Sequence, residues 1–136
     1  MKFIHGVALD QRLGHFCQEA KNRVVFVSAY TRNEAFLRFA GQLDPDLNME
    51  KILVTRWGFS DLVSGASDLD VYRTASELGW TVYLQPNLHA KLYIMDNMML
   101  LGSANMTLSG FQLKNGLGNI EACVEDSLDP EVEVWV

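Results

Sequence analysis

Residues 87–105 read Asn-Leu-His-Ala-Lys-Leu-Tyr-Ile-Met-Asp-Asn-Met-Met-Leu-Leu-Gly-Ser-Ala-Asn. Two short apolar runs, 89–95 and 98–101, flank Asp96-Asn97, a pair suited to a tight turn, so the stretch predicts two adjacent strands. Strand alternation puts His89, Lys91 and Tyr93 on one face and Ala90, Leu92 and Ile94 on the other. A lysine and a histidine sharing a largely buried face are costly unless an anion joins them. Past the second run, Gly102 lets the backbone approach a ligand, while Ser103 and Asn105 offer a hydroxyl and an amide two positions apart. The same Gly-Ser-Ala-Asn is also ordinary turn chemistry. It is the two halves at this separation that suggest a set of groups for holding a phosphate.

Working outward, residues 23–30 (Arg-Val-Val-Phe-Val-Ser-Ala-Tyr) form a β-branched apolar run of the kind found in buried strands. Thr31-Arg32-Asn33-Glu34 then supplies helix-start chemistry, and Phe36, Phe39, Ala40 and Leu43 repeat at the spacing of one buried helix face. Asp44-Pro45-Asp46 ends that helix and residues 51–57 read as a second strand, giving a βαβ unit. Ser60-Asp61 can cap a helix starting at Leu62, with Gly65 and Ser67-Asp68 interrupting it before 69–78 continues to Gly79. Residues 81–84 are the third strand, closed by Pro86. Residues 107–112 suit one or two helical turns, Gly116 and Gly118 loosen the following loop, and 120–124 is a last core strand. The ending, 131–136, alternates like an unfinished strand or starts an element that is cut off. The expected architecture is α/β, a mixed sheet flanked by helices as an α-β-α sandwich, in a single domain spanning 1–136.

A chain of 136 residues with 49% hydrophobic and 21% charged residues has the composition of a globular domain with a real core. No run approaches the roughly 18 apolar residues needed to span a bilayer, and the start lacks a secretory signal's apolar segment, so the expected location is cytoplasmic, without a membrane partner. Cys17 and Cys123 stand far apart in apolar surroundings and are expected to be reduced and buried. His5 and His15 read as surface or loop histidines. A net charge of −6, with acids crowding into Glu121, Glu125, Asp126, Asp129, Glu131 and Glu133, gives no general electrostatic grip on a polyanion, which would have to be held locally.

His89-x-Lys91, four residues, Asp96, five residues and Gly102-Ser103-x-Asn105 resemble the HKD signature of the phospholipase D superfamily, His-x-Lys-x4-Asp-x6-Gly-Ser-x-Asn. The spacing between Asp96 and Gly102 is one residue shorter than in that pattern, which a turn between two strands can absorb. Arg56, residues 62–69 and Asn119-Ile120-Glu121 are also similar to the branch containing metal-independent restriction endonucleases, so the resemblance covers roughly residues 24–124. It implies a phosphodiesterase that uses neither metal nor cofactor. His89 would attack phosphorus to form a phosphohistidine, Lys91 and Asn105 would hold the phosphoryl oxygens with help from Ser103, and Glu121 would fix the tautomer of His89. Asp96 would shape the turn, with Arg56 in support.

Members of this superfamily use two such motifs, the second histidine protonating the leaving group, and this chain carries the motif once. The implied assembly is a two-fold homodimer with the active site on its axis. DNA is the expected substrate, cut in the manner of a restriction or repair endonuclease. Arg32, Arg56, Arg73 and Lys114 are candidate backbone contacts, though each also reads as solvated surface charge, and a specificity domain or partner is expected to follow Val136. The alternatives are a phospholipase or phosphatidyltransferase and a catalytically silent nucleic-acid-binding or dimerisation module.

Overall fold

The computed structural model describes residues 1–111, 113 and 118–136. Among them the chain order is β1 (Lys2–His5), α1 (Ala8–Glu19), β2 (Arg23–Ser28), α2 (Asn33–Ala40), β3 (Glu50–Thr55), α3 (Phe59–Val63), α4 (Asp70–Glu77), β4 (Thr81–Leu84), β5 (Lys91–Met95), β6 (Met98–Gly102), β7 (Ala122–Ser127) and α5 (Pro130–Trp135). The seven strands form one mixed sheet in the order β1-β7-β6-β5-β2-β3-β4. β2, β3 and β4 run parallel, joined by helical crossovers, whereas β5, β6, β7 and β1 are antiparallel to their neighbours.

β2 shows why both faces of the sheet are covered. Val24 and Phe26 belong to one apolar cluster, Val25 and Val27 to the other, and all four are buried, as a central strand between two layers requires. The larger cluster collects Leu9, Leu13, Phe16 and Cys17 of α1, Phe36 and Phe39 of α2, and Val71 and Ala75 of α4. Edge-on aromatic contacts knit it: Phe26 meets Phe36 and Tyr93 with ring centroids 6.3 and 5.6 Å apart. The smaller cluster, Val25, Val27, Leu88, Leu92 and Ile94, is covered by Leu128 and by Val132 of α5.

The βαβ unit, the hairpin at Asp96-Asn97 and the buried, unpaired cysteines match the sequence expectation. Burial pushes the Cys17 thiol up to about 12, so it packs as a neutral apolar group. His5 and His15 are exposed as expected, but they lie on β1 and α1, two elements that the sequence reading places nowhere. Other boundaries differ for identifiable reasons. Ser60-Asp61 does not cap a helix at Leu62; α3 starts at Phe59 after Gly58, and Asp61 is already in its first turn, accepting from the Gly58 N–H at 3.0 Å. The first N–H of α2 is satisfied across the chain, Asn33 donating to Asp68 at 2.9 Å. Residues 107–111 make turns rather than an α-helix, Gly110 donating to Thr107 Oγ1 at 2.9 Å, while Gln112, Lys114 and Gly116 lie outside the described residues.

The last core strand begins at Ala122, two residues later than expected, and runs on through Glu125. Glu125 is buried because Arg12 of α1 meets it with a two-pronged ion pair, which holds its carboxyl below the usual range. The terminal residues are not an unfinished strand: Pro130 occupies the first turn of α5 and the Asp129 carboxylate accepts from the Glu131 N–H at 2.8 Å, a helix-start pair that overrides the alternating pattern. No helix among the described residues is long and apolar enough to cross a membrane.

Candidate active site

Strand register gathers the chemistry at one end of the sheet. Lys91, the first residue of β5, lies opposite Ser28, the last of β2; Gly102, closing β6, lies opposite Cys123; and Ala122, opening β7, lies opposite His5. The parallel strands β2 and β3 finish at this same end, so the loops carrying Tyr30 and Arg56 also emerge here, where open α/β sheets place their ligands.

His89 sits just before β5, exposed, and Lys91 turns back toward it. Lys91 Nζ lies 3.4 Å from His89 Nε2 and donates to the His89 carbonyl at 2.9 Å. An ammonium can only donate, so a hydrogen bond here requires the tautomer with its lone pair on Nε2 and its proton on Nδ1. That tautomer sets a ring lone pair and a cation side by side.

The second half is held by an inward network. Asn105 Oδ1 accepts from the Tyr30 N–H at 3.2 Å and lies 3.4 Å from Ser28 Oγ, which itself donates to the Tyr30 carbonyl at 2.6 Å and accepts from the Met106 N–H at 2.8 Å. With its oxygen committed inward, Asn105 keeps its amide hydrogens for an acceptor outside this network. Tyr93 supports the loop from below: fully buried, it donates to the Ala104 carbonyl at 2.7 Å, and burial pushes its ionisation far above the ordinary range, so it acts as a neutral hydroxyl.

Ser103 is at the same end, but its hydroxyl bridges β6 to β7, accepting from the Ala122 N–H at 3.0 Å and donating to the Ala122 carbonyl at 3.3 Å. Gly102 does not open the backbone to a ligand, as the sequence suggested. A Cβ there would come within 2.3 Å of the Ala122 carbonyl and 2.6 Å of Cys123 Cα, so the glycine admits the neighbouring strand instead. Glu121, half-buried, immediately precedes β7, and its carbonyl accepts from the Gly6 N–H at 3.3 Å. Its charge is near enough to push the Tyr93 and Cys123 groups upward, a smaller contribution than burial in both cases.

Asp96 lies at the opposite end of β5, in the left-handed region at φ 52°. Its carboxylate accepts three backbone N–H groups, from Lys21 at 2.9 Å, Asn22 at 2.8 Å and Arg23 at 3.0 Å, locking the α1–β2 connection to the hairpin. Asp96→Ala is expected to lower unfolding free energy by about 2–3 kcal/mol, from lost charge-assisted bonds and a strained φ. Urea titration checks this; a loss below about 0.5 kcal/mol would show that the carboxylate is not the lock.

Three of the candidate cations are already engaged. Arg32 pairs with Asp68 at 3.3 Å and donates to the Gly65 carbonyl, and Arg73, mostly exposed on α4, pairs with Asp70 at 3.0 Å. Arg56 is part of a cluster the sequence reading missed. Its Nε and Nη2 grip Asp61 at 3.0 and 3.2 Å, Nη2 also donates to Tyr30 Oη at 2.7 Å, and Nη1 donates to the Leu88 carbonyl at 3.2 Å. The signal was a Gly58 turn that brings Asp61 back over Arg56. Lys114 lies outside the described residues. Among the described residues, no three His, Cys, Asp or Glu side chains gather closely enough to hold a metal ion.

No protein-family model matches the sequence, and no curated protein matches it. Solved structures do. A phospholipase D family member, Nuc from Salmonella typhimurium, superposes with a TM-score of 0.71 at 14% identity over 98% of this chain and 88% of that one. Phosphatidylserine synthase from Haemophilus influenzae Rd KW20 gives 0.77 at 13% identity, over 97% of this chain and 34% of the synthase. TrmBL2, an archaeal chromatin protein described for its mode of DNA binding, gives 0.57 at 10% identity, and this chain spans about half of it, 48%. With a mixed seven-stranded sheet that superposes over nearly its whole length on such structures, the chain has the fold of the phospholipase D superfamily.

Proposed function

We propose that the protein is a metal-independent phosphodiesterase that cuts DNA through a phosphohistidine intermediate. The observation that carries this reading is the 3.4 Å approach of Lys91 Nζ to Nε2 of His89, at the sheet end where Asn105 presents its amide. In-line attack forms the Nε2–P bond and breaks the P–O ester bond, with Lys91 and Asn105 neutralising the non-bridging oxygens. The partner's His89 enters as the imidazolium and gives its proton to the leaving oxygen across a two-fold axis, and the neutral imidazole left behind then accepts a proton from the water that hydrolyses the phosphohistidine. Glu121 is assigned to the Nδ1–H side of His89. The likeness to TrmBL2, described for its mode of DNA binding, supports DNA as the substrate.

The test is cleavage of plasmid and oligonucleotides in excess EDTA, with oligomeric state followed by sedimentation. Cleavage is expected to persist in chelator and to track the dimer. Activity abolished by EDTA would contradict the reading, and activity from a strict monomer at micromolar concentration would remove its dimeric site. Phosphatidyl transfer is the second reading, favoured by the synthase likeness and by the exposed side chains of Tyr83, Leu84 and Trp135; hydrolysis of phospholipid vesicles in place of DNA would promote it.

A further inference from the structure

We infer that Arg56, Asp61 and Tyr30 form a positioning clamp that holds the two halves of the His89 site in register, so that Arg56 serves the reaction through the backbone rather than by touching phosphate. This rests on the proposed phosphohistidine reading. The two halves arrive from different parts of the chain, His89 and Lys91 at the start of β5 and Asn105 after β6. Arg56 emerges at the end of β3, where its own N–H is fixed to the Ala29 carbonyl at 3.2 Å. From there it reaches both halves. Nη1 holds the Leu88 carbonyl, one residue before His89. Nη2 holds the hydroxyl of Tyr30, whose backbone N–H anchors Asn105 Oδ1.

The guanidinium has little left to offer a ligand. Four of its N–H···acceptor contacts are taken by Asp61, Tyr30 and Leu88, and its carbon stacks over the Tyr30 ring at 4.8 Å from the centroid. Asp61 is the brace: its side chain is 10% exposed, and Arg56 and the Gly58 N–H hold its carboxyl below the usual range, so it stays ionised through neutral pH. A planar fork fixed on one side by a carboxylate and on another by a phenol sets the Leu88 carbonyl, and with it the imidazole, to a narrow range of positions. Displacements of about 1 Å in such groups cost on the order of a hundredfold in rate, since in-line attack needs the nitrogen and the phosphoryl clamp aligned together.

Arg56→Lys keeps the charge and loses the fork; Tyr30→Phe removes the hydroxyl alone. Arg38→Lys is the control, breaking an equally two-pronged pair with Asp10 (2.8 and 2.6 Å) between α1 and α2. Two readouts apply to each: steady-state cleavage of an oligonucleotide, and the imidazole NMR signals of His89. For Arg56→Lys we expect kcat to fall between tenfold and a hundredfold with KM within twofold and the His89 signals displaced. Tyr30→Phe should do the same more mildly, at about threefold to tenfold, and Arg38→Lys should move neither readout. A raised KM at unchanged kcat would overturn the clamp in favour of a direct phosphate contact, and unmoved His89 signals in a protein that cleaves would overturn it alone. A wild type that cleaves nothing while Arg56→Lys still displaces those signals would retire the nuclease reading and uphold the clamp.

Discussion

Under the proposed mechanism, His89→Ala is expected to lower phosphodiester cleavage by at least about 10⁴-fold, because it removes the nucleophile rather than one of several supports. At about 1.36 kcal/mol per tenfold, that is about 5.5 kcal/mol of transition-state stabilisation. His89 is exposed and its ring carries little packing, so the thermal unfolding midpoint should barely move, which separates a chemical effect from a folding one. Acid-labile, alkali-stable radiolabel should appear on the wild-type chain after quenching with labelled substrate and be absent from the variant. A residual rate within tenfold of the wild type would sink the phosphohistidine mechanism.

The second large effect is on folding. Gly102→Ala would drive a Cβ into the Ala122 carbonyl, Cys123 Cα and Cys123 Sγ, all within 2.6 Å, and two of these are backbone atoms that cannot swing aside. The strands β6 and β7 would have to separate where Gly102 faces Cys123, at a cost of about 3 kcal/mol or more. Ser103 and Asn105, the next residues along, would be carried away with it. The urea midpoint should therefore fall together with activity. Loss of substrate binding at full stability would instead mean that the glycine makes room for a ligand, the role its place in the sequence suggested.

How far the sequence could be read follows from whether the decisive contacts were local. β2 was legible because a run of buried β-branched residues has few other uses, and the hairpin because Asp96-Asn97 sits between two apolar runs. His89 and Lys91 were legible as a pair, being two residues apart. α1 and β1 were not read, although Leu9, Leu13, Phe16 and Cys17 keep helical spacing, since Gly14 interrupts the pattern and β1 is four residues long with a single buried side chain. Without α1, Glu125 lacks Arg12 and looks like one more surface acid. The Arg56 clamp was out of reach for a similar reason: its partners, Tyr30 and Leu88, lie 26 and 32 residues away, and nothing local marks either as a partner.

The pairing of β1 with β7 has a consequence for biosynthesis. Lys2 faces Glu125 and His5 faces Ala122, so β1 waits for β7 before it has a neighbour. At about 5–20 residues per second, translation leaves β1 without its partner for roughly 6–24 seconds. Ser103 depends on Ala122 for its hydrogen bonds, so the loop carrying Asn105 waits a further 19 residues of synthesis, about 1–4 seconds, for its anchor. A chain halted before Ala122 thus carries His89, Lys91 and Asn105 but has neither the β1 pairing nor the Ser103 bridge that holds their strands together.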